Sequence, residues 1–228
     1  MAKVTTLTQP VTAITETAAR LSFVTAGMFV VLLTALHVIK PELDPSWRFI
    51  SEYAIGDNGW IMVLAFFSLA LSYVLLFLAL RSQIRTITGR IGLVLLLVSA
   101  AGLAMAGFFT TDPITTSQEA MTPEGNLHSL GGTLGFAMPF AALILSWSLG
   151  RIPAWSPVRR SLIWSAGLAL IGFLVSFLSL GFLLSQSGGQ FGPGVPVGWP
   201  TRFEILGYCV WLMVVAWQTV RLGRNQIG

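Results

Sequence analysis

Charged residues are scarce in this chain, and their scarcity excludes most soluble folds. Asp, Glu, Lys and Arg together make up 10% of the 228 residues, whereas 54% are hydrophobic. A soluble domain has about 25% charged residues, which help to cover its surface. The composition therefore predicts a protein that is embedded in a membrane.

Cysteine and histidine are also rare. Cys209 is the single cysteine, so the chain has no internal disulfide, no CxxC redox pair and no CxxCH haem attachment. His37 and His128 are the two histidines. A bis-histidine haem or a His/His/carboxylate metal centre is geometrically conceivable, but no supporting partners can be located for it. HExxH, a Ser-centred Gly elbow and a phosphate-binding Gly loop do not occur, and we predict neither a metal nor a cofactor.

Six long apolar stretches dominate the chain. Each has the roughly 20 residues needed to cross a hydrocarbon core. They cover residues 20–39, 59–80, 91–109, 127–149, 162–184 and 203–222. The prediction is an all-α polytopic membrane protein, a six-transmembrane-helix bundle that forms a single domain over residues 1–228.

The charges between these stretches alternate in sign. Ten of the thirteen Lys and Arg residues, and only one acid, Glu16, fall in the two termini and in the loops Arg81–Arg90 and Gly150–Arg160. By the positive-inside rule these segments are cytoplasmic. Residues 1–19 are then a cytoplasmic amino-terminal segment, both termini are cytoplasmic, and the expected location is a bacterial plasma (inner) membrane. The first helix is expected to stay uncleaved, because no small-residue cleavage pattern follows it.

The opposite side of the membrane is predicted to carry the longer loops and nearly all of the acids. The loops are Lys40–Asn58, Thr110–Asn126 and Ser185–Thr201. The Gly- and Pro-rich run at residues 188–200 predicts either a tightly turned cap over the bundle or a solvated linker. Any polar chemistry is therefore expected on the extracytoplasmic side.

His128 is a candidate site residue in the fourth stretch. That helix is predicted to begin with Thr122 as its N-cap and Pro123 in its first turn. Gly131 and Gly135 follow His128 at helical spacing, so the imidazole shares a face with small residues and should meet protein. Carboxylates of the outer loops are its available partners, and a histidine that only caps or bridges helices is the alternative.

Asp112 and Arg202 are further candidates at the same side. The ring of Pro113 disfavours helical geometry at Asp112, which presents the carboxylate at the end of the third helix. Arg202 is expected to pair with Glu52 or Asp112, or to hold a phosphate through two hydrogen bonds. The alternatives are a helix terminator for Asp112 and a structural ion pair for Arg202.

Short motifs distributed over nearly the whole chain carry a resemblance. They are Arg48-Phe-Ile-Ser51-Glu52-Tyr-Ala-Ile-Gly56, Gly107-Phe-Phe-Thr-Thr-Asp112-Pro113, His128, and Thr201-Arg202-Phe with Trp211. With them the chain resembles the bacterial membrane family catalogued as domain of unknown function 998. The resemblance implies a six-helix integral membrane protein without an assigned activity.

The family's polar pattern is matched residue by residue. The matching positions are Ser51, Glu52, Asp112, Pro113, His128 and Arg202. The chain departs from the pattern at Thr110-Thr111, where Phe-Pro is expected before the aspartate. His37 does not belong to the pattern, and neither the pattern nor the spacing assigns a role to His37 or Glu204.

Three functions fit these features. The favoured one is binding or transport of a lipid or small amphiphile through an extracytoplasmic-side polar cavity. Its candidate ligand-binding residues are Ser51, Glu52, Asp112, His128 and Arg202. Membrane lipids are the expected partners, nucleic acid is excluded by the dispersed Arg residues, and a protein partner or a homo-oligomer stays open.

The other two functions differ in class. One is an intramembrane enzyme acting on outer-leaflet lipid, with His128 as general base or metal ligand and Glu52 or Asp112 as its partner. The other is a structural subunit of a membrane complex. Whichever applies, we expect His128, Glu52, Asp112 and Arg202 to converge in one outer-side cavity.

Overall fold

The computed structural model describes residues 13–224, and this part of the chain is helical, without a strand. The α-helices are α1 (Ala13–Ile39), α2 (Trp60–Leu80), α3 (Ile87–Phe108), α4 (Pro123–Gly135), α5 (Met138–Leu149), α6 (Arg159–Gln186) and α7 (Gly198–Arg224). Three 3-10 helices lie between them, at Ile50–Ala54, Gln118–Ala120 and Pro153–Val158. The connections 40–59, 109–122 and 187–197 meet at one end, which we call the loop-rich end.

Within the described residues, six helical segments are long and apolar enough to cross a membrane, which confirms the predicted fold class. The first helix begins at Ala13, before the predicted start at residue 20. An ion pair between Arg20 and Glu16, one helical turn apart, stabilises this additional length. Of the predicted cytoplasmic segment, residues 1–19, the first twelve lie outside the described residues and the remainder belongs to α1.

The predicted fourth span, residues 127–149, is interrupted. α4 ends at Gly135, and α5 begins three residues later with Pro139 in its first turn. Pro139 has no N–H to donate to the carbonyl of Gly135, and its ring would collide with that carbonyl in a continuous helix. The N–H groups of Phe136 and Ala137 donate instead to carbonyls three residues earlier, at 3.1 and 3.2 Å. The two halves still form one span together.

The helices are arranged around a buried apolar core. α1 packs against α2 and α7, α2 against α3, α5 against α3 and α6, and α6 against α7. The core between them includes Leu69, Leu96, Met138 and Trp211, none of which is exposed. α4 differs from the other described helices, because α3 is its only extensive packing partner.

α3 and α4 cross with their backbones in direct contact at two glycines. A Cβ atom on Gly102 would collide with the carbonyl oxygen of Gly131, and one on Gly131 would lie 2.6 Å from the carbonyl oxygen of Gly102. Such close approach is how helices gain van der Waals energy in lipid. It holds α4 against α3. By contrast, a Cβ on Gly135 would meet nothing within 4 Å.

The Gly- and Pro-rich run forms a packed cap at the loop-rich end. Val195 and Val197 are buried against Trp47 and Ile114, which belong to the other two connections. Apolar burial of this kind is absent from a solvated linker. Of the two alternatives that the sequence left open, the cap is therefore the one found.

Hydrogen bonds attach the first connection to this cap. The backbone N–H of Ser46 donates to Asp44 Oδ1 at 2.8 Å, which lowers the pKa of the Asp44 carboxyl. The carbonyl of Ser46 accepts the N–H of Gly198 at 2.9 Å. The connection 40–59 is thereby fixed to the start of α7.

The α3–α4 crossing gives a stability prediction. Gly102→Leu should lower the free energy of unfolding by about 1–3 kcal/mol, because the added side chain forces the two backbones apart. Denaturant titration in mixed micelles, followed by circular dichroism, measures this quantity. Gly27→Leu is the matched control, since a Cβ at Gly27 meets nothing within 4 Å. Equal stability of the two variants would show that the close approach is not needed.

Candidate functional site

A cavity of about 470 Å³ lies between α4 and the α6–α7 pair. It runs from the loop-rich end down to Phe136, at the break between α4 and α5. Its apolar lining includes Leu103 of α3 and Phe177 and Leu180 of α6. A second recess, of about 350 Å³, lies beside Arg159 at the other end of the bundle and contains none of the predicted site residues.

Three of the five predicted ligand-binding residues contribute to the wall of the large cavity. They are Ser51, Asp112 and His128. Glu52 and Arg202 are not part of the wall. The expectation that His128, Glu52, Asp112 and Arg202 converge in one cavity is therefore wrong for Glu52 and Arg202.

His128 bridges α4 and α3 and is 7% exposed. Its Nδ1–H donates to the carbonyl of Phe109 at 2.8 Å, and its ring packs edge-on against Phe66 at 5.8 Å between centroids. The imidazole meets protein, as the glycine face predicted. No carboxylate among the described residues hydrogen-bonds it, so the expected carboxylate partner is wrong. With Nδ1–H donated, Nε2 carries the acceptor lone pair, and no described side chain donates to it.

Asp112 connects the end of α3 to the start of α4. The backbone N–H of Thr122, the N-cap of α4, donates to Asp112 Oδ2 at 2.8 Å, and the Thr122 hydroxyl lies 3.1 Å from both carboxylate oxygens. A Cβ on Gly125 would overlap the carboxylate, so any larger residue there would displace the Asp112 side chain. The negative charge lies at the positive end of the α4 dipole, where it is stabilised.

Glu52 joins two connections of the loop-rich end and is 1% exposed. Its Oε1 accepts from Arg48 Nη1 at 2.7 Å and from the backbone N–H of Ile114 at 3.0 Å. Its Oε2 accepts from the backbone N–H of Phe49 at 3.0 Å. Both carboxylate oxygens are thus engaged within the protein.

Arg202 lies on α7 at the loop-rich end and is 4% exposed. Its Nε donates to His37 Nε2 at 2.8 Å, and its Nη1 donates to the carbonyls of Arg48 and Gly198 at 2.8 and 3.1 Å. Its Nη2 lies 3.4 Å from the hydroxyl of Tyr53. A single guanidinium therefore joins α1, the first connection and α7.

Both predicted ion pairs of Arg202 are wrong, because neither Glu52 nor Asp112 is among its partners. Arg48 is four residues from Glu52 in the same connection and takes that carboxylate. Asp112 is engaged by Thr122. The guanidinium has neutral acceptors in place of a carboxylate.

His37 has a defined part in this arrangement. Its Nδ1 lies 2.7 Å from the carbonyl of Leu33, which requires an N–H on Nδ1. Nε2 is then the acceptor for the N–H of Arg202. The ring also packs against Tyr53 at 5.2 Å between centroids. His37 orients Arg202, a role that its position at the end of an apolar helix did not reveal.

The remaining cation of the loop-rich end is engaged in the same way. Lys40 is 5% exposed, and its Nζ donates to the carbonyls of Tyr53 and Ile55. We call Lys40, Arg48 and Arg202 the loop-end cations. All three are held by protein groups, and none lines the cavity.

Glu204 was missed as a site residue, and it forms the deep polar end of the cavity. It lies on α7, is 9% exposed, and accepts a hydrogen bond from the Tyr208 hydroxyl at 2.6 Å. The Ser176 hydroxyl of α6 faces the same carboxylate, and Tyr73 of α2 lines the cavity nearby. The spacing of Glu204 and Tyr208, one helical turn apart on an apolar helix, was the available signal.

The described side chains contain two ion pairs, Arg20–Glu16 and Arg48–Glu52. Asp112 and Glu204 therefore have no cationic partner among the described residues. No group of three or more His, Cys, Asp or Glu side chains in the described part of the chain is close enough to hold a metal ion.

The family described as "Protein of unknown function (DUF998)" matches residues 23–218. The chain belongs to this family. The matched region contains every residue of the cavity wall, and it confirms the DUF998 resemblance that the short motifs indicated. No curated protein and no solved structure matches the chain. Membership of the DUF998 family does not assign an activity to the chain.

The Arg202 contacts predict a large loss of stability when the guanidinium is removed. Arg202→Met should lower the free energy of unfolding by about 3 kcal/mol, because it leaves His37 Nε2 and the buried carbonyl of Arg48 without donors. The control is Arg221→Met, at an exposed position of the same helix. Denaturant titration in mixed micelles compares the two. A loss for Arg202→Met no larger than for Arg221→Met would contradict the assigned role.

The Glu52 contacts predict a local effect. In Glu52→Gln the side chain keeps one acceptor oxygen, and Arg48 favours that oxygen at the Oε1 position, where Ile114 also donates. The N–H of Phe49 then faces the amide NH2 group, so its hydrogen–deuterium exchange should become roughly tenfold faster. Glu42→Gln, at an exposed position of the first connection, should leave the exchange of Phe49 unchanged. Unchanged exchange at Phe49 in the Glu52 variant would contradict the assigned hydrogen bond.

Proposed function

We propose that this DUF998 protein binds a lipid or another small amphiphile in the cavity between α4 and the α6–α7 pair, as a step in its recognition or transport. The observation that carries the proposal is the mixed lining of a cavity of about 470 Å³. Apolar surface makes up most of its wall, and polar side chains from the connections and from α4, α6 and α7 interrupt it. Sites for small molecules have this composition.

The polar groups are distributed in a way that suits an amphiphile. Ser51, Asp112 and His128 lie toward the loop-rich end, and Glu204 lies deeper. Between them the wall presents side chains such as Phe177 and Leu180. A molecule with a polar group and an apolar body can satisfy both parts of this wall.

Access from the membrane supports the same function. Phe177 lines the cavity and is 53% exposed, so the cavity reaches the outer surface of the bundle between α4 and α6. Below this point Phe136 contacts Phe173 and Phe177, with ring centroids 5.4 and 6.4 Å apart, and closes the gap. An alkyl chain can therefore enter from the side without crossing a polar surface.

The charge pattern supports an extracytoplasmic position for the loop-rich end. The helix ends and connections at the other end together carry most of the Arg residues, which favours a cytoplasmic location for that end and for both termini. We accordingly propose a multi-pass protein of a bacterial plasma membrane whose cavity opens toward the outer leaflet. Membrane lipids are its immediate partners.

Photochemical labelling tests the proposed binding. The probe is an uncharged dodecyl glycoside with a diazirine in its alkyl chain, presented to the protein in phosphatidylcholine nanodiscs. Labelled peptides identified by mass spectrometry should include residues of the cavity wall on α3 and α6. Gly132→Phe should abolish this labelling, because Gly132 lines the cavity and its Cβ direction is open.

The matched control for that experiment is Gly181→Phe. Gly181 lies on α6, a Cβ atom there would meet nothing within 4 Å, and the residue is not part of the cavity wall. This variant should label like the wild type. Labelling that is spread evenly over the lipid-facing helices, or that persists in Gly132→Phe, would refute binding in the cavity.

Cysteine labelling tests the proposed orientation. Glu119→Cys and Ser156→Cys place thiols at exposed positions on the two ends of the bundle, whereas the native Cys209 is fully buried. In intact cells a membrane-impermeant maleimide should label position 119 and should reach position 156 only after the membrane is permeabilised. The reverse labelling pattern would show that the topology is opposite to the one proposed.

A further inference from the structure

We propose that the cavity selects a cationic amphiphile and that Glu204 holds its positively charged group. The inference depends on the proposed amphiphile binding and adds the charge class of the ligand. It concerns a residue to which the sequence pattern gave no role. The evidence is the charge of the cavity wall, the surroundings of Glu204, and the direction in which the nearby cations point.

Within the described residues, the wall of the cavity carries carboxylates but neither an ammonium nor a guanidinium group. Asp112 and Glu204 line it, and no Lys or Arg of the described chain does. The loop-end cations donate to backbone carbonyls, to His37, to Tyr53 and to Glu52 instead. An anionic headgroup entering the cavity would meet two carboxylates and no guanidinium. A phosphate held by Arg202, one of the expectations from the sequence, is not available here.

Arg202 does not neutralise Glu204, although they are neighbours in the sequence. Two positions along an α-helix are separated by about 200° around its axis, so the two side chains lie on opposite faces of α7. Arg202 faces α1 and the first connection through His37 and Arg48. Glu204 faces α6, where a Cβ on Gly172 would lie 2.9 Å from the Glu204 Cα.

Glu204 differs from Asp112 in what surrounds its carboxylate. Asp112 is held over the start of α4 by Thr122, where backbone N–H groups and the helix dipole stabilise its charge. Glu204 has hydroxyl groups, from Tyr208 and Ser176. Hydroxyls orient a carboxylate but do not cancel its charge. The two oxygens of a carboxylate offer about four acceptor sites in all, which is more than two hydroxyl groups occupy. An acid in this position lacks the cationic partner that buried charges normally have.

Aromatic rings near Glu204 suit a cation as well. Tyr73 and Tyr208 line the cavity together with Glu204, and the Tyr208 hydroxyl donates to its carboxylate. The faces of such rings attract ammonium and related groups, most strongly when water is excluded. A lipophilic cation therefore has a counter-ion and aromatic contacts in one place, together with space for its apolar part.

A pair of ions with the same shape and opposite charge tests this inference. Tetraphenylphosphonium is the cation and tetraphenylborate the anion, and each is measured by equilibrium dialysis against the protein in phosphatidylcholine nanodiscs, with empty nanodiscs as background. The wild type should bind the cation specifically and the anion only at the background level. Glu204→Gln, which keeps the shape and an acceptor for Tyr208, should weaken binding of the cation at least about tenfold.

Glu204→Asp is the conservative variant, and it should retain the preference for the cation because it retains the charge. Size-exclusion profiles and circular dichroism establish that each variant is folded. If Glu204→Gln does not fold, the comparison of the two ions on the wild type and on Glu204→Asp decides. Equal binding of both ions, or cation binding that survives in a folded Glu204→Gln, would overturn the inference.

The outcomes separate this inference from the proposed function. If the uncharged diazirine probe labels the cavity but tetraphenylphosphonium does not bind, amphiphile binding stands and the cationic class is wrong. If neither probe binds, both are wrong. If tetraphenylphosphonium binds and is lost in both Glu204→Gln and Gly132→Phe but not in Gly181→Phe, both are supported.

Discussion

The hydrogen bonds of the Arg202 guanidinium hold the segments of the loop-rich end together. The guanidinium donates to His37 of α1, to the carbonyl of Arg48 in the first connection, and to the carbonyl of Gly198 in its own helix. Polar groups that are buried in protein and shielded from water need such donors. Because Arg202 supplies them, and Lys40 and Arg48 are similarly engaged, the cations of this end are unavailable to a ligand. The charge of the cavity is then set by its carboxylates alone.

The cavity itself follows from how α4 is placed. The close approach of Gly102 and Gly131 holds α4 against α3, and Asp112 fixes the start of α4 through Thr122. Both contacts draw α4 toward α3, and neither attaches it to α6 or α7. The break at Pro139 lets α5 resume packing against α6, which α4 does not do. A gap therefore remains beside α4 in the half of the bundle nearest the loops.

The sequence predicted the parts of this protein that depend on composition and spacing. Apolar length located the six spans, and the glycines after His128 predicted that its ring would meet protein. The ion pairs could not be predicted from the sequence, because several acids lie at one end of the bundle. Only their positions in the folded protein determine that Glu52 pairs with Arg48. Sequence reasoning assigned no role to Glu204, because its distance from Ser176 and Tyr73 is set by the packing of three helices. The break in the fourth span had a local signal, Pro139, that the hydropathy of the stretch concealed.

The proposed binding of a positively charged amphiphile in the gap beside α4 can be tested by native mass spectrometry of the protein purified in a mild detergent, comparing the wild type with Gly132→Phe. The wild type should retain a small molecule whose mass and fragments include a basic amine or a quaternary ammonium group, and the variant should not. A wild type that carries no such molecule, or a variant that retains it equally well, would rule out this binding site.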